Sequence, residues 1–244
     1  MSYLEFAEIY DSLMTDIPYD HWVDFIKRKI GSNKNILEIA CGTGNITRLL
    51  ADDNYKITAF DLSEEMLVKA YEKLRKYSNV SILNMNMLDF KIDKSFDAAI
   101  CCCDGINYLL NGEGVLELFS RVYSHLSHDG IFIFDYSTIH KFQNQLGRHT
   151  IVAEEDDIFM VWENLYDDED HTCEMTLNFF VIDSNGLYRR IEEFQKQKSY
   201  GCDSICSMLK QVGFSSVEVF DGYCDEAYNL NSDRAVFVCK RRTE

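Results

Sequence analysis

One proline in 244 residues, Pro18, and only 24 Lys and Arg against 41 Asp and Glu are the scarcities of this chain. The resulting net charge of -17 argues against a nucleic-acid partner, because binding to phosphates rests on surplus cations. Two short basic clusters, Arg189-Arg190 and Lys240-Arg241-Arg242, are too small to reverse that balance. No apolar run reaches the roughly 20 residues of a membrane-spanning helix. The first residues, Met-Ser-Tyr-Leu-Glu-Phe-Ala-Glu, are acidic where an export signal would be basic, so a cytoplasmic protein is expected. Nine cysteines include the triplet Cys101-Cys102-Cys103, but none has C-x-x-C spacing. Cys202 and Cys206 stand four apart without a companion pair or nearby histidines, so no metal is expected and reduced thiols are the plainer account. Repeats, linkers and low-complexity segments are missing as well. With 46% hydrophobic residues, this length suits one large domain, or a core carrying an inserted lobe.

The periodicity supplies the elements. Residues 3 to 14 place Phe6, Ile9, Tyr10 and Leu13 at helical spacing, and Asp16-Ile-Pro18-Tyr19-Asp20 breaks that helix. Asp20 opens a second helix with Trp22, Phe25, Ile26 and Ile30. Apolar strands are expected at Asn35–Ile39, Lys56–Phe60, Val80–Leu83, Phe96–Cys102 and Ile131–Asp135. Helices between them begin near Asn45, at Ser63 and near Glu113, the last running to Leu126. Such alternation implies right-handed crossovers and an α/β, Rossmann-like, doubly wound sheet. The pattern then changes to period two, over Ile158–Tyr166, Cys173–Ile182 and Leu187–Lys198. Ser184-Asn185-Gly186 is a hairpin signal between the last two. These three strands predict an inserted antiparallel β lobe over 138–200, dividing a main domain of 1–137 and 201–244. A helix ending at Gly213 and strands Ser216–Phe220 and Arg234–Cys239 complete seven strands.

The most informative stretch is Asn35-Ile-Leu-Glu-Ile-Ala-Cys-Gly-Thr-Gly44, a strand ending beside an acid and breaking into a glycine turn before a helix. Glycines there let the backbone pass close to a ligand. The next strand delivers Asp61, placed to accept the two hydroxyls of a ribose. A dinucleotide fingerprint would need a third glycine where Thr47 stands, and Glu38 would repel a pyrophosphate but suits an ammonium group. The pattern Glu38-x-Ala40-x-Gly42-x-Gly44 followed by Asp61 resembles the S-adenosylmethionine signature of class I methyltransferases, with Ala40 where many members carry a glycine. Phe6-Ala-Glu-Ile-Tyr10-Asp11-Ser-Leu-Met14, followed by Tyr19 and Trp22, resembles a bacterial small-molecule group in which this segment (residues 1–30) lids the cofactor.

That resemblance implies S-adenosyl-L-methionine as the cofactor and a small-molecule methyl acceptor. It implies Ala40, Gly42, Thr43 and Gly44 along the methionine part, Asp61 at the ribose, and Leu62 and Met66 against the adenine. Asn86 and Met87 follow strand three at the adenine edge, and Cys103 and Asp104 follow strand four at the methionine end. Asp104-Gly-Ile-Asn107-Tyr108 has the look of a substrate-facing loop. Tyr10, Tyr19 and Trp22 either shield the sulfonium by cation–π attraction or are core residues of their helices. Methyl transfer from a sulfonium needs alignment and desolvation more than a base, so catalytic candidates are few. They are Tyr10, His140, Tyr136 and Glu163, the last falling on one strand face with Phe159, Val161 and Leu165, where a carboxylate needs either a ligand or a basic partner such as Arg189. The acid run Glu154-Glu-Asp-Asp157 is either a lure for a cationic substrate or a solvated loop. The alternatives are an NAD-dependent oxidoreductase, or a nucleoside-binding sensor that performs no transfer. The strand edges of the lobe leave monomer and homodimer both open.

Overall fold

The computed structural model describes residues 4–31, 34–147, 149–155 and 157–242. Helices α1 (Leu4–Leu13) and α2 (Tyr19–Ile30) open the chain, parted at the one proline. Then β1 (Asn35–Ile39), α3 (Asn45–Asp52), β2 (Lys56–Asp61), α4 (Glu64–Leu74), β3 (Val80–Asn84) and β4 (Phe96–Cys101) alternate. A short 3-10 turn (Gly105–Tyr108), α5 (Gly112–His125) and β5 (Leu126–Ser137) follow. Local chemistry fixes the helix starts. The Ser63 hydroxyl accepts the Met66 N–H at 3.2 Å to cap α4, and the Asn111 side chain accepts the Gly114 N–H at 2.8 Å to cap α5. A turn of helix, α6 (Ile139–Lys141), runs through a π turn at Phe142–Leu146 into strands β6 (Thr150–Glu155), β7 (Ile158–Asp167), β8 (Thr172–Ile182) and β9 (Tyr188–Lys198). Helix α7 (Cys202–Val212), β10 (Phe214–Asp221) and β11 (Arg234–Arg241) end the fold.

Seven strands form one sheet in the order β10-β11-β5-β4-β1-β2-β3. β1 pairs in parallel with both β2 and β4, whereas β11 runs antiparallel to β5 and β10. The chain winds outward from β1 through β2 to β3, then crosses to β4 on the other side. The carboxyl ends of β1 and β4 therefore border a crevice where crossovers diverge, the usual ligand position in such sheets. Both faces are covered. Ile36, Ile57, Ile100 and Ile133 pack under α2 and α3 with Phe25, Ile26 and Leu50. Leu37, Ile39, Ala99, Phe132, Phe134 and Phe237 pack under α5 and α7, with Phe134 stacked on Phe237 at 4.8 Å. This burial on two sides is why β4 reads as a nearly continuous apolar run.

The remaining strands form a second, antiparallel sheet in the order β6-β7-β8-β9. Helix α1 packs here rather than on the main sheet: Phe6 and Ile9 join Phe179, Met175, Leu177 and Ile191. Three features depart from the periodicity. The lobe has a fourth strand, β6, whose Val152 is exposed and whose pattern is too short to stand out. Its end takes up part of the acid run, with Glu154 and Asp157 exposed; Asp156 lies outside the described residues, as do residues 1–3. β5 starts at Leu126 instead of Ile131, because Ser127–Gly130 forms a bulge against β4 with Asp129 at φ +61°. Finally, β7 turns its Ile158, Met160, Trp162, Asn164 and Tyr166 face inward, one residue out of phase with the expected face. Glu163 is thus exposed beside Phe159, Val161 and Leu165, and Arg189 bridges Glu8 of α1 at 3.7 Å. Both faces of β7 are apolar enough that alternation alone does not set its phase.

Candidate functional site

The β1–α3 turn is held by the Cys41 N–H to Phe60 O at 3.0 Å and the Gly44 N–H to Cys41 O at 2.9 Å. Three of its residues take left-handed backbone: Ala40 at φ +54°, Gly42 at +55° and Gly44 at +78°. A Cβ on Gly44 would stand 2.7 Å from Leu74 Cδ1, so glycine is required there by strain and by space. Ala40 bears the cost of a Cβ in that region, about 1 kcal/mol. A cavity of about 620 Å³ opens over this turn.

Tyr10, Tyr19, Glu38, Ala40, Gly42, Thr43, Asp61, Leu62, Met66, Asn86, Met87, Cys103 and Tyr108 all line it. Gly44 shapes the turn from behind without lining the cavity. Glu38, next to the last residue of β1, is almost fully buried, and its Oε2 has no hydrogen-bond partner among the described residues. Burial, with the Asp61 charge adding to it and the nearby Thr47 hydroxyl opposing, pushes its carboxyl up to about 8. Asp61 accepts the Gly42 N–H at 2.8 Å and the Ser63 N–H at 2.9 Å, one on each oxygen. Burial raises its carboxyl in spite of these donors. Leu62, Met66, Met85 and Met87 make an apolar slot beside it. The Asn86 side-chain oxygen accepts the Leu88 N–H at 2.9 Å, so its first role is to turn the chain after β3.

After β4, Cys103 and Asp104 are left-handed at φ +59° and +63°. A buried ionic cluster holds that loop. Asp135 Oδ2 accepts the Cys103 N–H at 3.2 Å and Oδ1 the Asp104 N–H at 2.7 Å. Arg234 grips both Asp104 oxygens at 2.7 and 3.1 Å and reaches Asp135 at 2.9 Å. Burial opposes ionisation of Asp104, but the Arg234 guanidinium outweighs it and holds the carboxyl below its usual range. Trp22 stacks on Tyr223 at 4.4 Å and carries Arg234 over its ring at 5.0 Å. Asp104 and Trp22 therefore sit behind the cavity wall as supports, and neither lines it. Asn107 is also turned inward, donating to Ser137 O and Lys198 O at 3.0 and 2.9 Å, so only Gly105 and Tyr108 of that loop face the cavity. The catalytic candidates after β5 are elsewhere. His140 meets Asp233 at 3.1 Å outside the cavity, and fully buried Tyr136 donates to Tyr200 O at 3.0 Å. Exposed Glu163 lies outside it as well.

Helix α1 closes the cavity with Phe6 and Tyr10. It is latched by Asp11, which accepts from Thr43 at 2.6 Å, Asn45 at 3.0 Å and Lys73 at 2.9 Å. Burial raises the phenols of Tyr10 and Tyr19 above their usual range. The inserted lobe over 138–200 is expected from the sequence to roof an acceptor pocket, and the strand of it that reaches the cavity is β9, through Glu193, Phe194, Gln195 and Lys196. The Tyr108 hydroxyl donates to Gln195 Oε1 at 3.0 Å across it. The available signal was polar residues at inward positions of a period-two strand.

An orphaned buried acid, a carboxylate lining the cavity one strand over and an apolar slot beside it fit, in turn, an ammonium, a ribose and an adenine. The family description "Methyltransferase domain" matches residues 36–130. YqeM of Bacillus subtilis (strain 168), whose name places it among the methyltransferases, is 31% identical over 99% of this chain and 98% of its own. The crystal structure of an S-adenosylmethionine-dependent methyltransferase from Clostridium acetobutylicum is 30% identical, covers 98% of this chain and 99% of that one, and superposes with a TM-score of 0.86. The Glycine/sarcosine N-methyltransferase of Aphanothece halophytica is 24% identical over 85% of this chain and 76% of its own. Likeness along its whole length, on a sheet whose turning point is shaped for a sulfonium nucleoside, makes this chain a member of the class I methyltransferases that use S-adenosylmethionine.

Proposed function

We propose that the protein methylates a small molecule enclosed between the carboxyl edge of the main sheet and the roof strand β9. The observation that carries this reading is the shape of the cavity: residues of α1 and β9 line it opposite the carboxyl edge of the main sheet, around a volume of about 620 Å³ suited to a small ligand. The surplus of 41 acidic over 24 basic residues supports a small acceptor over a nucleic acid. S-adenosylmethionine, when bound, supplies a methyl group on a positively charged sulfur. Glu38 would hold its ammonium, Asp61 its ribose hydroxyls, and Leu62, Met66 and Met87 its adenine. Tyr10 and Tyr19 would shield the sulfonium with ring faces and exclude water, each cation–π contact contributing on the order of 0.5–2 kcal/mol. The chain aligns the acceptor and strips its water, and needs no metal to do so.

The test is transfer of labelled methyl groups with the purified chain and a cell lysate divided by ultrafiltration. Label is expected in the low-mass fraction only, with stoichiometric formation of S-adenosylhomocysteine. Label fixed in RNA or protein would refute the small-molecule acceptor, and binding without any turnover would make the protein a sensor.

A further inference from the structure

Glu193 lies midway along β9 on the face turned to the cavity. Its neighbours across the sheet on that face are Leu177 and then Trp162. Among the described residues of β7, β8 and β9 it is the sole carboxylate on the inward face, and no hydrogen bond or ion pair engages it. Burial raises its carboxyl with no donor opposing the effect. A half-buried acid that lines a cavity without a protein partner is placed to meet a charged ligand. The other acids of the cavity, Glu38, Asp61 and Glu65, lie on the cofactor side, at the β1 and β2 edge. Lys196 is the one Lys or Arg in the lining, and its Nζ is committed to Glu174 at 2.9 Å. Such a cavity attracts cations and repels carboxylate acceptors.

We propose that Glu193 anchors the methyl acceptor, and that this acceptor is a small primary or secondary amine arriving as an ammonium ion. The inference rests on the methyl-transfer reading above and specifies its substrate class. The ammonium gives one proton to the Glu193 carboxylate. The freed nitrogen lone pair then forms the N–C bond as the C–S bond breaks, its electron pair remaining on the now neutral sulfur. The product leaves as the N-methylated ammonium, and the Glu193 proton passes to water.

Sinefungin tests this without turnover, since it carries a carbon-bound ammonium where S-adenosylmethionine carries its S-methyl group. Calorimetry on the full chain is expected to show sinefungin binding roughly tenfold tighter than S-adenosylhomocysteine, in line with a charge-assisted hydrogen bond. E193Q should abolish that preference while leaving S-adenosylhomocysteine affinity within about threefold, which also reports that the variant is folded. Equal affinities in the unaltered chain, or a preference that survives E193Q, overturn the anchor. Failure to bind either ligand overturns the methyl-transfer reading instead. A turnover panel of amines, each with the alcohol and carboxylic acid of the same skeleton, tests the class. Amines should be methylated, with kcat/KM down about a hundredfold in E193Q and less in E193D; a faster alcohol or acid overturns the amine assignment. Should the whole panel prove inert, the sinefungin comparison decides.

Discussion

Glu38 is the residue on which the chemistry of this site turns. Its Oε2 is buried without a partner, and burial lifts its carboxyl to about 8, far above the ~4.3 of an unfolded chain. A raised folded value means the folded state holds the proton more tightly. The stability it contributes is full below about pH 4 and is lost as pH climbs toward 8. Without ligand, the melting temperature should therefore fall over that window, and Glu38→Gln should flatten the fall. An ammonium ligand reverses the preference by favouring the carboxylate. S-adenosylhomocysteine affinity is accordingly expected to rise roughly tenfold between pH 6 and 8, with Glu38→Gln weaker and flat; calorimetry at three pH values reads both. A pH-independent affinity in the unaltered chain would place the ammonium elsewhere. The acid itself was plain beside the glycine turn, but its lack of a partner was not. Partners are supplied by whatever the fold brings near, and here the Thr47 side chain and the Asp61 carboxylate come near.

At the scale of elements, α1 and β9 add walls to a site that the main sheet alone would leave as a shelf. Helix α1 is held on two sides: Phe6 stacks on Phe179 at 5.6 Å, and Asp11 meets Thr43, Asn45 and Lys73. Burial raises the Asp11 carboxyl, yet the bonds from Thr43 and Lys73 outweigh it and hold it below the usual value. Its contribution is thus complete at neutral pH and lost only as acid titrates it below about pH 4. Because Asp11 is 44% exposed, solvent screens the pair, and the latch is worth about 1 kcal/mol. Asp11→Ala should weaken S-adenosylhomocysteine roughly threefold to tenfold and speed hydrogen exchange in α1, with melting temperature nearly unchanged. Unaltered exchange in α1 would show that the latch does not govern closure. The amphipathic pattern of α1 was readable, since Phe6, Ile9, Tyr10 and Leu13 share a face. What that face meets was not, because a helix stripe specifies an apolar partner without naming it. The same limit applies to Trp22, equally suited to a cavity or a core, which the fold assigns to Tyr223 and Arg234.

Across the whole molecule, the charge of -17 is spread over a fold whose ligand is a cation. Self-repulsion of that size is screened by salt, so the melting temperature is expected to rise by several degrees between about 0.05 and 0.5 M NaCl. Ligand affinity should fall over the same range; a salt-independent melting temperature would mean that local pairing already offsets the repulsion. The seven strands of the main sheet, their helices and the glycine turn with Asp61 were determined by the sequence alone. Each is encoded within a few neighbouring residues, through apolar period, capping side chains and left-handed backbone. Tertiary structure alone decided the phase of β7, the presence of edge strand β6, the support role of Asp104 beneath Arg234, and the facing of Glu193 into the cavity. Those features join residues up to 130 positions apart, and such contacts are set by packing and charge pairing in the folded chain rather than by any local preference.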